Sequence, residues 1–219
     1  MKVLVVSPHP DDETLGAGGT LMRLKEENHR IYWLNITDVD EEDGWSAEFI
    51  EKRKEQIKKI TDFYSFDAAY NLKFAPAKLE RVNMAELIDG IKRCINEVKP
   101  EWVILPDYND AHSDHKVVFE ACLACTKSFR CPSVKRLTTM EILSETNFGK
   151  PYHKFEPTFY VDVSNTWKKK IEAMRIYDTE MGEHPFPRSE KAIESLAILR
   201  GGEAGVSAAE AFRVIKEIL

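Results

Sequence analysis

Two short stretches of uninterrupted apolar residues, Val3-Leu4-Val5-Val6 and Trp102-Val103-Ile104-Leu105, limit what this chain can fold into. A strand with one wet face alternates apolar and polar side chains. A run with no polar member needs cover on both faces, the situation of a central strand in a parallel sheet. Each run leads into a dense polar cluster: Ser7-Pro8-His9-Pro10-Asp11-Asp12-Glu13 after the first, Asp110-Ala111-His112-Ser113-Asp114-His115 after the second. Adjacent carboxylates disfavour one another's ionisation unless a cation or a shared proton compensates them.

The remainder alternates strand and helix patterns. A helix is expected from near Glu13 through Leu21, Leu24 and Lys25, then a strand over Arg30 to Ile36. The acidic stretch Asp38 to Gly44 reads, on composition, as a solvated connection rather than the rim of a site. Ser46 caps a helix carrying Phe49, Arg53, Ile57, Ile60 and Tyr64 at three- and four-residue spacing. Asn83 with Glu86 opens another, with Leu87, Ile91, Ile95 and Val98 inward and Pro100 at its end. Val118, Phe119, Cys122 and Leu123 mark a further helix, and Thr138 to Leu143 and Thr158 to Val163 read as strands. Gly149, Pro151 and Pro157 lie in the loop between those strands, which could reach over a site. A helix through Trp167, Ile171 and Met174 follows, then another from Ser189 to Leu199. Ser207 with Glu210 resembles a capping box, which predicts a last helix carrying Phe212, Val214, Ile215 and Ile218.

This alternation implies an α/β fold of right-handed βαβ units, with a mostly parallel sheet and helices on both faces. No repeat or linker divides the chain, so residues 1–219 are expected to form a single domain. Ligands of such sheets bind beyond the carboxyl ends of the strands. Both polar clusters sit at such ends and can meet in one crevice.

The chain's 219 residues, 43% of them hydrophobic, suffice for a substantial core. A formal net charge of -6 argues against a phosphate-backbone binder, so no nucleic-acid partner is expected. No apolar stretch approaches the roughly 18 residues of a membrane span, and the opening run is too short for a signal peptide. A cytoplasmic protein without a membrane partner is the expectation, and a homo-oligomer is compatible with it. Cys94, Cys122, Cys125 and Cys131 are then reduced thiols. Cys122-x-x-Cys125 falls inside a helical pattern with no second pair, unlike a zinc site.

His9 and Asp12, joined by His115 or His112, supply three ligands with one position left open, the arrangement of catalytic zinc. Asp11 is then free to serve as general base on water made acidic by the metal. The same ligand set also suits a ferrous oxygenase. More plainly, Asp11 or Asp12 caps the following helix and His112 is a loop histidine. A non-catalytic sugar- or nucleotide-binding module is another alternative. However, Gly16-Ala17-Gly18-Gly19 lacks the third glycine of a dinucleotide fingerprint and follows three acidic residues.

His9-Pro10-Asp11-Asp12-Glu13 with Gly18-Gly19-Thr20, together with Asp110-x-His112-x-Asp114-His115, resembles the paired signatures of the PIG-L/LmbE family of metal-dependent N-acetylglucosaminyl deacetylases. The resemblance extends to Arg53, Lys99-Pro100 and Arg200-Gly201-x-x-Ala204-Gly205. It implies a Rossmann-like fold and hydrolysis of an N-acetyl group on a small N-acetylated sugar. His9, Asp12 and His115 would bind Zn2+, with Fe2+ or Co2+ as substitutes. Asp11 would be the general base, and His112, oriented by Asp114, would stabilise the oxyanion or protonate the leaving amine. Arg53 would contact sugar hydroxyls or a phosphate. Gln56 and Thr179-Glu180 depart from the family pattern, which leaves the substrate surface open, and His184 and Arg188 in the proline-rich loop are further substrate-binding candidates.

Overall fold

In the computed structural model, which describes residues 1–219, strands and helices alternate through the first half of the chain. β1 (Lys2–Ser7), α1 (Asp12–Glu26), β2 (Arg30–Thr37), α2 (Ala47–Tyr64), β3 (Ala68–Phe74), α3 (Met84–Val98), β4 (Trp102–Pro106) and α4 (Ser113–Cys125) come first. β5 (Arg136–Met140), β6 (Phe159–Asp162), α5 (Trp167–Ile176), α6 (Glu190–Ala204) and β7 (Ala209–Glu217) complete the chain. One seven-stranded sheet has the order β3-β2-β1-β4-β5-β7-β6. The first five in that order are parallel, and β7 runs antiparallel between β5 and β6.

The two apolar runs are buried on both faces, as their composition requires. Val3 and Val5 point into a core with Leu15, Leu21, Ile60 and Met174, whereas Leu4 and Val6 point into a second core with Leu87, Ile91, Val118 and Cys122. β4 divides likewise, Trp102 and Ile104 to the first and Val103 and Leu105 to the second. Each such side chain, fully buried, contributes about 1.5–3 kcal/mol, so register along these strands is strongly specified. Ser46 and Asn83 cap α2 and α3 through bonds from the Phe49 and Ala85 amides at 3.2 and 3.0 Å. All four cysteines are buried and unpaired. No helix is long and apolar enough to cross a membrane.

Three features differ from the sequence reading or settle it. The stretch from Ser207, expected as a helix, is β7. Its β-branched Val214 and Ile215 suit a strand, and Glu210 is used for something other than a capping box: its carboxylate accepts from the Gly19 and Thr20 amides at 2.9 and 2.7 Å and pairs with buried Lys170 at 2.7 Å. Edge strand β3 has half-buried, mixed residues and gave no clear alternation in advance. The glycines of α1 serve close packing, since a Cβ on Gly18 would lie 2.7 Å from the Tyr64 hydroxyl and one on Gly19 would lie 2.9 Å from Val163 Cγ1.

Candidate active site

From β1 the chain crosses to β2 on one side, whereas β4 lies on the other, so the sheet has its topological switch point between β1 and β4. The loops leaving these two strands carry the two polar clusters, and they line one cavity of about 220 Å3. The β1 loop is pinned by β2, because the Thr37 amide and hydroxyl both donate to the Pro8 carbonyl, at 3.1 and 2.8 Å. Asp11 then adopts φ 143°, a sparsely populated conformation for an L-residue. Buried Glu13 supports the turn. It accepts from the Asp11 amide at 3.2 Å and from the hydroxyls of Thr14 and Tyr177 at 2.6 and 3.0 Å.

His9, Asp12 and His115 are brought together, with one donor atom from each inside a 4.8 Å group. Asp12 Oδ2 accepts from the His9 amide at 2.9 Å and lies 3.5 Å from His9 Nδ1 and 3.3 Å from His115 Nε2. His115 Nε2 is fully buried and has no hydrogen-bond partner. Each imidazole has its other nitrogen on a carboxylate: His115 Nδ1 on Asp110 Oδ2 at 2.8 Å, His9 Nε2 on Asp114 Oδ2 at 3.0 Å. Carboxylates behind metal-binding histidines fix ring orientation and raise basicity. Asp114 is itself held by the Ala77 and Leu79 amides at 2.7 and 3.1 Å. These features fit a divalent cation: N and O donors from half-buried His9 and from buried Asp12 and His115, an orphaned imidazole nitrogen and oriented rings. A second group, His9-His112-Asp114, fits less well, because Asp114 already bonds His9 and those two amides.

One expected relation is altered. The Asp114 carboxylate holds His9, and His112 is oriented by the Asp114 backbone amide, which donates to His112 Nδ1 at 3.1 Å. Nδ1 is thereby an acceptor, which leaves Nε2 to carry the proton of a neutral His112. Burial first, then the charges of His9 and His115, hold the His112 pKa below its usual value.

The carboxylates are driven apart in pKa. Burial opposes ionisation of Asp12, but His115 and His9 outweigh it and hold its pKa well below the usual range. Asp11 goes the other way: burial, and next the charge of Asp12, raise it well above that range, with Arg188 in opposition. Such a separation equips two adjacent carboxylates for different tasks. Arg188 Nη1 donates to Asp11 Oδ2 at 2.7 Å, and no hydrogen bond engages Oδ1.

Arg53 and Arg188 both line the cavity, and Arg53 is paired with Glu180. His184 is not brought to it and instead lines a separate surface cavity with Arg175 and Glu190. Asp38 and Val39 of the acidic connection do form part of the rim, against the solvated reading, joined by Trp45 just beyond it; the 3₁₀ turn of the connection, Glu41–Asp43, stays outside. Sequence reasoning gave no role to Asp110, Glu145, Glu180 or Trp45. Asp110 had a signal in its five-residue spacing from His115, whereas the others come from loops whose path no local pattern predicts.

Three donors that could hold a metal ion thus lie at the switch point of a doubly wound sheet, the crevice in which α/β folds of this class bind their ligands. Residues 4–126 match the family model PIG-L, GlcNAc-PI de-N-acetylase, and the chain belongs to that family. Diacetylchitobiose deacetylase of Thermococcus kodakarensis is 24% identical over 226 residues, which span 99% of this chain and 84% of that protein. A conserved protein of Thermus thermophilus superimposes with a TM-score of 0.78 at 26% identity, over 99% of this chain and 96% of its own. The 4-carboxy-2-hydroxymuconate hydratase GalB of Pseudomonas putida also superimposes, with a TM-score of 0.74 at 16% identity, over 100% of this chain and 97% of its own. The fold therefore accommodates more than one chemistry, and function has to be argued from the site.

Proposed function

We propose that residues 1–219 form one zinc-dependent deacetylase domain, which hydrolyses the N-acetyl group of an amino sugar or its conjugate to acetate and a free amine. One observation carries the reading: a buried, partnerless His115 Nε2 converges with Asp12 Oδ2 and His9 Nδ1 beside a second carboxylate, Asp11. His9, Asp12 and His115 would hold the cation, which supplies Lewis acidity to the acetyl carbonyl and lowers the pKa of water. Zinc suits two imidazoles and a carboxylate, and Fe2+ and Co2+ are acceptable substitutes.

The protein's own groups divide the proton work. Asp11 Oδ1 accepts a proton from the attacking water, a task suited to a carboxylate whose pKa burial has raised. Arg188 keeps Asp11 in place through Oδ2. The Nε2–H of His112 donates to the carbonyl oxygen as charge develops there. The leaving nitrogen then takes a proton from Asp11 or His112 as the C–N bond breaks. The family assignment and the likeness to a diacetylchitobiose deacetylase support this reaction over hydration or oxygenation.

The test is acetate release from a panel of N-acetylated amino sugars, with and without chelator. Chelator-sensitive release from at least one member is expected. A chain that loads metal yet releases no acetate from any of them would lose this assignment.

A further inference from the structure

Both guanidiniums in the cavity already face carboxylates. Arg53 donates through Nη2 to Glu180 and through Nη1 to the Pro10 carbonyl at 3.1 Å. Arg188 uses every nitrogen: Nε on Ser144 Oγ at 2.7 Å, Nη1 on Asp11 at 2.7 Å and Glu180 at 3.3 Å, Nη2 on Glu145 at 3.3 Å. With Asp12 and Asp38 the lining holds five carboxyl groups and only these two guanidiniums, so acidic groups outnumber the basic ones around the cavity. A phosphate or carboxylate on the substrate would enter against that field. Hydroxyl groups, in contrast, find donors and acceptors side by side at the Arg53–Glu180 and Arg188–Glu145 pairs.

The opposite quality is found on the rim. Trp45 lines the cavity, is 40% exposed, and stacks on Phe49 with ring centroids 4.8 Å apart and planes 19° from parallel. Phe49 in turn lies 5.4 Å from the Arg53 guanidinium. A braced indole open to a polar cavity is a flat apolar platform, the surface that the C–H face of a sugar ring covers.

Resting on the deacetylase reading, we propose that the site selects uncharged N-acetylated amino sugars, with a pyranose ring on Trp45 and its hydroxyls at the two Arg–Glu pairs, and discriminates against anionic conjugates such as sugar phosphates. Trp45 is on this account a specificity-determining residue, and Glu180 and Glu145 neutralise the arginines that would otherwise recruit an anion.

Two measurements test it. In the first, the metal-loaded protein is given methyl N-acetyl-β-D-glucosaminide or N-acetylglucosamine 1-phosphate, and kcat/KM is expected to favour the neutral compound by at least about tenfold, the repulsion being electrostatic. Equal or faster turnover of the phosphate would overturn the charge selection. In the second, the same neutral glycoside is titrated into metal-free protein, where it is not turned over, and binding is read by saturation-transfer NMR. Trp45→Ala is expected to weaken binding about tenfold, the scale of a lost aromatic contact, while Trp45→Phe stays within about threefold. Binding by Trp45→Ala equal to the parent's would overturn the platform. Trp45-dependent binding without acetate release from either compound would support the platform and count against the deacetylase reading.

Discussion

At the scale of single residues, the proposed mechanism separates groups that would hold a cation from groups that would move protons. Asp110 and Asp114 meet His115 and His9 at the nitrogens turned away from Asp12, so their expected effect runs through ring orientation. Asp110→Asn and Asp114→Asn are each expected to weaken metal affinity about 10- to 100-fold, as measured by competition with a chromogenic chelator. The protons of the metal-free site give a second expectation. Burial lowers the His9 pKa, but the hydrogen bonds with Asp114 and Asp12 outweigh it and raise it from 6.5 to about 9. A pKa raised on folding means that the stability His9 contributes is complete below about 6.5 and is lost as pH rises through about 9. A cation held by His9 Nδ1 would displace that proton. Metal uptake at pH 7 should therefore release protons and weaken as pH falls. Calorimetric titration in two buffers of different ionisation enthalpy checks this: identical apparent enthalpies would mean that no proton leaves.

Among the elements, α1 and β7 are joined by a polar contact as well as by packing. Glu210 reaches from β7 to two amides of α1 and to Lys170 of α5, all buried. Glu210→Ala leaves the Lys170 ammonium buried without its partner, which should cost about 3–5 kcal/mol in urea unfolding; a loss below about 1 kcal/mol would show that the ion pair does not hold the β7 edge in place. Gly18→Ala sets two effects against each other, since alanine gains about 1 kcal/mol of helix propensity. A Cβ there would lie 2.7 Å from the Tyr64 hydroxyl, and overpacking typically costs about 1–3 kcal/mol, so a net loss is expected. The elements also differ in how far the sequence revealed them. β1 and β4 were legible because uninterrupted apolar runs allow few other placements, and α2 and α3 because spacing and caps agree. β7 was misread because Ser207 and Glu210 match a local helix signal, whereas Glu210 answers to partners in α1 and α5, far away in the chain. The metal-ligand candidates were legible as motifs. The wall of Trp45, Glu145 and Glu180 was not, because side chains on loops converge only when the sheet brings those loops together.

For the molecule as a whole, the order of the strands decides where chemistry can occur. The switch point between β1 and β4 opens a crevice into which both loops empty, and two cores of equal size grip the sheet from either side. The ends of two neighbouring strands thus deliver His9 and Asp12 from one side and His115, in the first turn of α4, from the other. GalB shares this frame, so the central claim is about the division of labour inside the crevice: three residues hold the cation and Asp11 works on the water. The most direct test is acetate released per bound metal ion in Asp11→Asn beside the parent chain. The account predicts one ion per chain in both, with turnover in the variant lowered about 10²- to 10⁴-fold, the usual contribution of a general base. Turnover at the parental rate, or loss of the ion from the variant, would contradict it.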